Sequence, residues 1–179
     1  MNIKRNAYNF DYGESGMTVL IHDLGEEYNT ILKDSADLLI HADGKYVPCK
    51  GCFHCWTKNP AKCDFKDALQ EICRVIGQSD NRIVITENWY GGHSPAVKNL
   101  LDRSIGTSTP LSTLRGGHMH HTLRYGRHNL LKVVVYGDIT EREKATWNLM
   151  VERNAMNEGF AGHEVVFIAS KDELEKVSL

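Results

Sequence analysis

Apolar residues in this chain fall in short β-branched runs separated by stretches with helical spacing. Met17–Leu24 (MTVLIHDL) opens with such a run and reads as the first strand. Glu26–Lys33 has room for a short helix, and Asp37–His41 (DLLIH) reads as a second strand, closed by the turn signal Asp43-Gly44. Over Asp64–Ile76, Leu69, Ile72, Cys73 and Ile76 recur at helical spacing, so an amphipathic helix is expected with Cys73 as a small core residue. Arg82–Thr86 (RIVIT) is a short buried strand. Ser94 is a good N-cap with Pro95 at the first helical position, opening a helix to about Ser104 that turns Val97, Leu100 and Leu101 inward. Gly106 to Asn129 shows no clear element. Leu130–Tyr136 (LLKVVVY) is the strongest strand pattern, and Thr140-x-x-Glu143 is a capping box for a long helix through Trp147, Met150 and Val151. Glu164–Ala169 (EVVFIA) makes the last strand. Residues 1–16 have no periodicity and read as an N-terminal arm before a single domain of residues 17–179.

Strands that alternate with helices at this spacing predict a parallel sheet covered on both faces. Five strands joined by right-handed crossovers define an α/β fold: the flavodoxin-like, doubly wound, five-stranded parallel sheet with helices on both faces. Ligands of such sheets bind beyond the carboxyl ends of the strands. Asp23–Asn29, Glu87–His93 and Gly137–Thr140 leave those ends, and the segment after the second strand is expected near the same edge.

Composition narrows the function without naming it. The chain has 179 residues and a net charge of −2, enough for one domain with a proper core and without the basic stripe of a nucleic-acid binder. No apolar run reaches membrane-spanning length, and residues 1–16 lack the apolar centre of a signal peptide. A cytoplasmic location follows as the expectation, and there metal binding or catalysis is a more natural use of cysteine than a structural disulfide.

That matters because four of the five cysteines, Cys49, Cys52, Cys55 and Cys63, share one short segment with the spacing C-x2-C-x2-C-x7-C. Thiolates are soft ligands, and overlapping C-x2-C repeats let one loop turn three sulfurs toward a single point. Structural zinc sites ordinarily use two separated pairs, so a four-iron cluster matches the overlapping triplet better than zinc does. Packing around Phe53 and Trp56, or a thiol sensor that closes a Cys52–Cys55 disulfide, remain alternatives for the same loop.

Three other segments carry candidate chemistry. Glu87-Asn88-Trp89-Tyr90-Gly91-Gly92-His93-Ser94-Pro95 joins a strand end, two aromatics, two glycines and a capped helix. Such a surface suits the stacking of a planar ring such as isoalloxazine beside exposed backbone amides, or else a turn covering the sheet edge. The loop after the first strand, His22-Asp23-Leu24-Gly25-Glu26-Glu27, offers carboxylates where a nucleotide phosphate usually meets small residues and free amides. Arg115-Gly116-Gly117-His118-Met119-His120-His121 clusters three histidines; adjacent His120 and His121 do not face one ion in an extended chain, which favours packing or a ligand lid over a metal site.

These residues resemble a known family. Pro48-Cys49-Lys50-Gly51-Cys52-Phe53-His54-Cys55-Trp56, followed by Asn59-Pro60-Ala61-Lys62-Cys63 and Asp67, is similar to the cysteine segment of the flavodoxin-like NADPH-dependent FMN reductases, which include the iron–sulfur flavoproteins. Tyr90-Gly91-Gly92-His93-Ser94-Pro95 with Val97–Arg103 resembles that family's flavin loop and following helix, and Gly117–His121 with Arg124-Tyr125 resembles a further segment. The resemblance runs from about Tyr46 to Tyr125. It implies an oligomer, a homodimer or homotetramer, that binds FMN at a subunit boundary and moves electrons from NAD(P)H to a small-molecule or protein acceptor. Asn88, Trp89, Tyr90, Gly91, Gly92 and Ser94 would then contact the flavin, and Cys49, Cys52, Cys55 and Cys63 would hold a [4Fe–4S] cluster. No acid–base residue is assigned. The sequence departs from the family pattern in its acidic loop after the first strand and in Thr86-Glu87, which stand where a Ser-Pro pair is usual. A degenerate scaffold that binds a cluster or metal without flavin or turnover is the rival expectation.

Overall fold

Alternation with a period of two divides the central strands between two layers of core. The computed structural model describes residues 16–179, so the expected N-terminal arm lies outside the described residues except for Gly16. In chain order the elements are β1 (Thr18–His22), α1 (Tyr28–Ile31), β2 (Leu38–His41), α2 (Ile72–Gly77), β3 (Asn81–Glu87) and α3 (Pro95–Arg103). There follow β4 (Ser108–Arg115), β5 (His118–Leu123), β6 (His128–Tyr136), α4 (Glu141–Glu158) and β7 (Phe160–Ile168). Val19 and Ile21 of β1 face the layer that holds α2, α3 and α4, with Leu69, Ile72, Val97, Leu100 and Trp147 as its centre. Leu20 faces the opposite layer, where α1 and a 3-10 turn at Lys171–Lys176 supply Leu32 and Leu174. A strand buried on both sides needs apolar residues at consecutive positions, which is why these runs do not alternate with polar ones.

The sheet is parallel and ordered β2-β1-β3-β6-β7. Counting only its five members, this is the 2-1-3-4-5 order of a flavodoxin-like doubly wound fold, as the sequence predicts. Among the described residues no helix is long and apolar enough to cross a membrane.

Two sequence expectations are corrected. The helix expected over Asp64–Ile76 forms only at Ile72–Gly77, although Leu69, Ile72, Cys73 and Ile76 do share a buried face. Asp67 explains the shortening, because its carboxylate accepts from Val47 N at 3.0 Å and Leu69 N at 3.1 Å. Cys63 N also donates to Gln70 O at 2.9 Å, so this stretch bonds back to the loop and not along a helix. The region from Gly106 to Asn129, read as lacking an element, contains the antiparallel hairpin β4–β5. Gly116 and Gly117 have φ of 54° and 80°, the positive pair that a tight two-residue hairpin turn requires. Leu111, Leu114 and Met119 remain exposed on this hairpin, so no apolar face marks it in the sequence.

The long helix begins as its capping box dictates. Thr140 Oγ1 accepts from Glu143 N at 3.3 Å while Glu143 Oε2 accepts from Thr140 N at 2.9 Å. Gly159, with φ of 81°, ends it in the left-handed conformation. Replacing Thr140 with alanine leaves first-turn amides without a partner and should lower stability to urea by about 1 kcal/mol. An unchanged unfolding midpoint would show that the cap does not hold α4.

Candidate functional site

The cysteine loop wraps a space. Cys49, Cys52, Cys55 and Cys63 all line one cavity of about 30 Å³, together with Phe53, Phe65, Arg103 and Ile105. Cys49 and Cys52 are exposed, Cys55 and Cys63 half-buried, and all are free thiols. Among the described residues no three His, Cys, Asp or Glu side chains converge on a point where one metal ion would sit. Thiols spread around a cavity fit a multi-iron group better than a tetrahedral zinc ion. Cys49, Cys52 and Phe53 form the exposed side of this loop.

A buried ion pair pins both ends of this loop. Arg103, only 2% exposed, donates from its two terminal nitrogens to Asp67 Oδ1 and Oδ2, each at 2.8 Å. It also donates to Val47 O at 2.6 Å, just before the first cysteine. Burial alone would raise the Asp67 carboxyl, but the Arg103 donors outweigh it and hold the group below the usual carboxylate range. Cys73, expected as a core residue, is fully buried but adjoins the site: its thiol donates to Arg103 O at 3.3 Å and lies beside Cys55. The neighbouring Cys73 side chain lowers the Cys55 thiol to about 7. A Cβ at Gly106 would stand 2.8 Å from Cys73 Sγ and 3.1 Å from Cys55 Cβ, so only glycine lets the chain pass there.

The second candidate surface lies at the other end of α3. Trp89 N donates to Gly92 O and Gly92 N to Trp89 O, at 2.9 and 3.0 Å, which closes a tight turn with Tyr90 and Gly91 at its tip. Tyr90 is 93% and Trp89 46% exposed, and Trp89 Nε1 donates to Glu87 Oε2 at 2.9 Å. Asn88 and Ser94 build the frame beneath. Asn88 Oδ1 accepts from Gly91 N at 3.1 Å and Trp147 Nε1 at 2.8 Å, and Ser94 Oγ caps α3 by accepting from Val97 N at 3.4 Å. The amides of Trp89, Gly91 and Gly92 are therefore used within the protein, unlike the free amides the sequence suggested. Phe53, Ala61 and Tyr90, the described non-glycine residues with positive φ, all lie in these two loops, and local strain of this kind gathers at functional sites.

The sequence placed both loops near one edge of the sheet. Instead, the chain after β2 runs beside α3, with Tyr46 Oη donating to Ala96 O at 2.7 Å and Val47 reaching Arg103. The cysteine cavity thus lies at the carboxyl end of α3 and the aromatic turn at its amino end, separated by about 13 Å for nine residues at 1.5 Å each.

The loop after β1 does not fit a phosphate. Asp23 is engaged internally, accepting from Thr86 Oγ1, Glu87 N and Tyr136 Oη, each at 3.1 Å. The Glu27 carboxylate folds over Gly25, with an oxygen 2.3 Å from where a Cβ would stand, and so fills the space beside the glycine. Next to it His22 is fully buried at the end of β1, stacked on His41 with ring centroids 5.0 Å apart. Burial, then the neighbouring His41, push His22 down to about 4.

The hairpin histidines go to different neighbours. His120 Nδ1 meets Asn157 Oδ1 at 3.2 Å, whereas His121 packs on Trp56 with centroids 4.6 Å apart, and Trp56 Nε1 donates to Ile105 O at 2.9 Å. For Arg103 as a partner of the cysteine loop, the one signal in the sequence is its place at the end of an amphipathic helix, with Asp67 just beyond Cys63.

The order and parallel pairing of the sheet define a flavodoxin-like α/β protein. No family model matches the chain. An iron–sulfur flavoprotein of Methanocaldococcus jannaschii is 31% identical over 93 residues, which make up 51% of this chain and 46% of that protein, so the match spans just under half of its length. A candidate quinone reductase from Klebsiella pneumoniae superposes with a TM-score of 0.56 at 13% identity, covering 88% of this chain and 77% of that one. An NAD(P)H:quinone oxidoreductase from Methanothermobacter marburgensis gives 0.54 at 11% identity, with 88% of each chain covered. An FMN-dependent NADH-azoreductase from Bacillus anthracis, solved with FMN, gives 0.51 at 12% identity, covering 84% of this chain and 85% of that one. At these identities the solved structures share the fold.

The buried His22 makes a pH prediction. An unfolded chain protonates this ring near 6.5, while the folded one resists to about 4, so the unfolded state binds more protons in between. Its contribution to stability is complete above about pH 6.5 and is lost as pH falls toward 4, by roughly 3 kcal/mol. Urea unfolding of His22→Gln should show a shallower pH dependence across that window; equal slopes for both proteins would contradict it.

Proposed function

We propose that this chain is a flavodoxin-like oxidoreductase that binds FMN, accepts electrons from NAD(P)H, and holds a [4Fe–4S] cluster on Cys49, Cys52, Cys55 and Cys63. The observation that carries the proposal is the gathering of these four thiols around one cavity on a flavodoxin-like sheet. The name of the M. jannaschii relative, an iron–sulfur flavoprotein, and the FMN held by the B. anthracis azoreductase support the same reading. Trp89 and Tyr90 would stack on the isoalloxazine, Gly91 and Gly92 would let its polar edge approach, and Asn88 and Ser94 would fix the turn that presents them. Bound FMN supplies the hydride and single-electron chemistry, and the protein supplies orientation and electrostatics. The phosphate would have to be held away from Glu26 and Glu27. Residues 17–179 act as one domain in a cytoplasmic homodimer or homotetramer, with a small-molecule or protein redox partner and neither nucleic acid nor membrane.

One observation favours a second reading. The carboxylate-filled loop after β1 would suit a protein that keeps the cluster and has lost the flavin. Fluorescence titration with FMN and riboflavin separates the two. Wild type should bind both, and the Glu26→Gln/Glu27→Gln double variant should bind FMN about three- to tenfold more tightly, the effect of removing two exposed like charges. Its riboflavin affinity should stay unchanged, and Trp89→Ala should weaken both ligands. If none of these proteins quenches flavin fluorescence, the flavin reading fails and the cluster-only reading takes its place.

A further inference from the structure

Arg103 has more to offer the cysteine loop than a structural ion pair uses. Its terminal nitrogens are committed to Asp67 and Val47, but its Nε is buried and has no hydrogen-bond partner among the described residues. The same guanidinium lines the cavity shared by the four cysteines. A buried cationic donor left unpaired is costly in an apolar setting, and it is accounted for when an anionic acceptor occupies the space beside it. Nearest in kind is Cys63, whose sulfur is one of the groups that sustain the Arg103 charge against burial.

Resting on the cluster reading above, we propose that Arg103 is a positioning residue for the cluster, donating its Nε–H toward Cys63 and setting the reduction potential. The planar fork fixes direction. Two bonds to Asp67 and one to Val47 O hold the guanidinium in one orientation, which fixes the direction of its remaining Nε–H. Phe65 lies over the guanidinium at 5.4 Å and lines the same cavity. An N–H donor beside a ligating thiolate stabilises the more negative, reduced form, so it raises the potential. Lysine keeps the charge but cannot present a donor at the Nε position while also bridging Asp67.

The test is the cluster potential, read by EPR-monitored redox titration after anaerobic reconstitution, with iron and sulfide measured per chain. Arg103→Lys and the charge-neutral pair Arg103→Gln/Asp67→Asn are compared with wild type, their folding checked by circular dichroism. The expected result is a downward shift in potential for both at unchanged iron content, larger for the double variant; loss of iron with an unchanged potential in the remaining cluster would assign Arg103 a structural role only and overturn the proposal. Equal iron content and equal potentials would overturn the proposal and leave the cluster reading intact. If the double variant does not fold, Arg103→Lys alone decides by the same criterion. A wild-type protein that takes up no iron would remove the cluster reading, and this proposal with it.

Discussion

The Arg103–Asp67 ion pair is the contact on which the cysteine loop depends. It joins the end of α3 to the chain just before Cys49 and just after Cys63, two places 20 residues apart that have no ladder of their own. Removing one member of a buried pair costs about 3–5 kcal/mol, because the other charge is left unpaired. Loop closure at this length is an entropic cost that weak surface contacts would not offset. Around this anchor Ala61 N donates to Cys55 O at 2.9 Å and His54 meets Asp64 at 2.5 Å within the loop, while Trp56 ties it to Ile105 O at 2.9 Å, 49 residues on.

Through α3 the same anchor reaches the rest of the molecule. The helix buries Val97 and Leu100 against the sheet, presents the aromatic turn at its capped amino end, and holds the thiol cavity at its carboxyl end. Both loops contain left-handed backbone at non-glycine residues, so each is held in a shape the chain would not choose locally. The carboxyl edge of the sheet is filled from within by Asp23, Tyr136 and the His22–His41 stack. Asp23 accepts from Glu87 N, which ties this edge to the strand end from which the aromatic turn springs.

Much of this was legible in the sequence. The β-branched runs, the Ser94-Pro95 cap and the Thr140/Glu143 box marked their elements because each acts through neighbours close in the chain. The hairpin was hidden, since its strands pack no apolar face and only Gly116-Gly117 signals the turn. The short α2 was misread for a related reason: its apolar spacing is real, but Asp67 breaks the helix by bonding to Val47, 20 residues earlier. The four cysteines were evident from their spacing, whereas the Arg103 support, the nearness of Cys73 to Cys55, and the separation of the two loops along α3 are long-range facts that no local pattern encodes.

The proposed iron–sulfur cluster rests on four thiols gathered around one cavity. The most direct measurement is iron and acid-labile sulfide per chain, with the visible spectrum, in protein purified without oxygen, for wild type and Cys49→Ser. Wild type is expected to carry about four irons and four sulfides, with a broad visible absorption that bleaches on reduction, and both are expected to be lost in the variant. Colourless wild-type protein without iron, or a Cys49→Ser variant that retains the full complement, would contradict it.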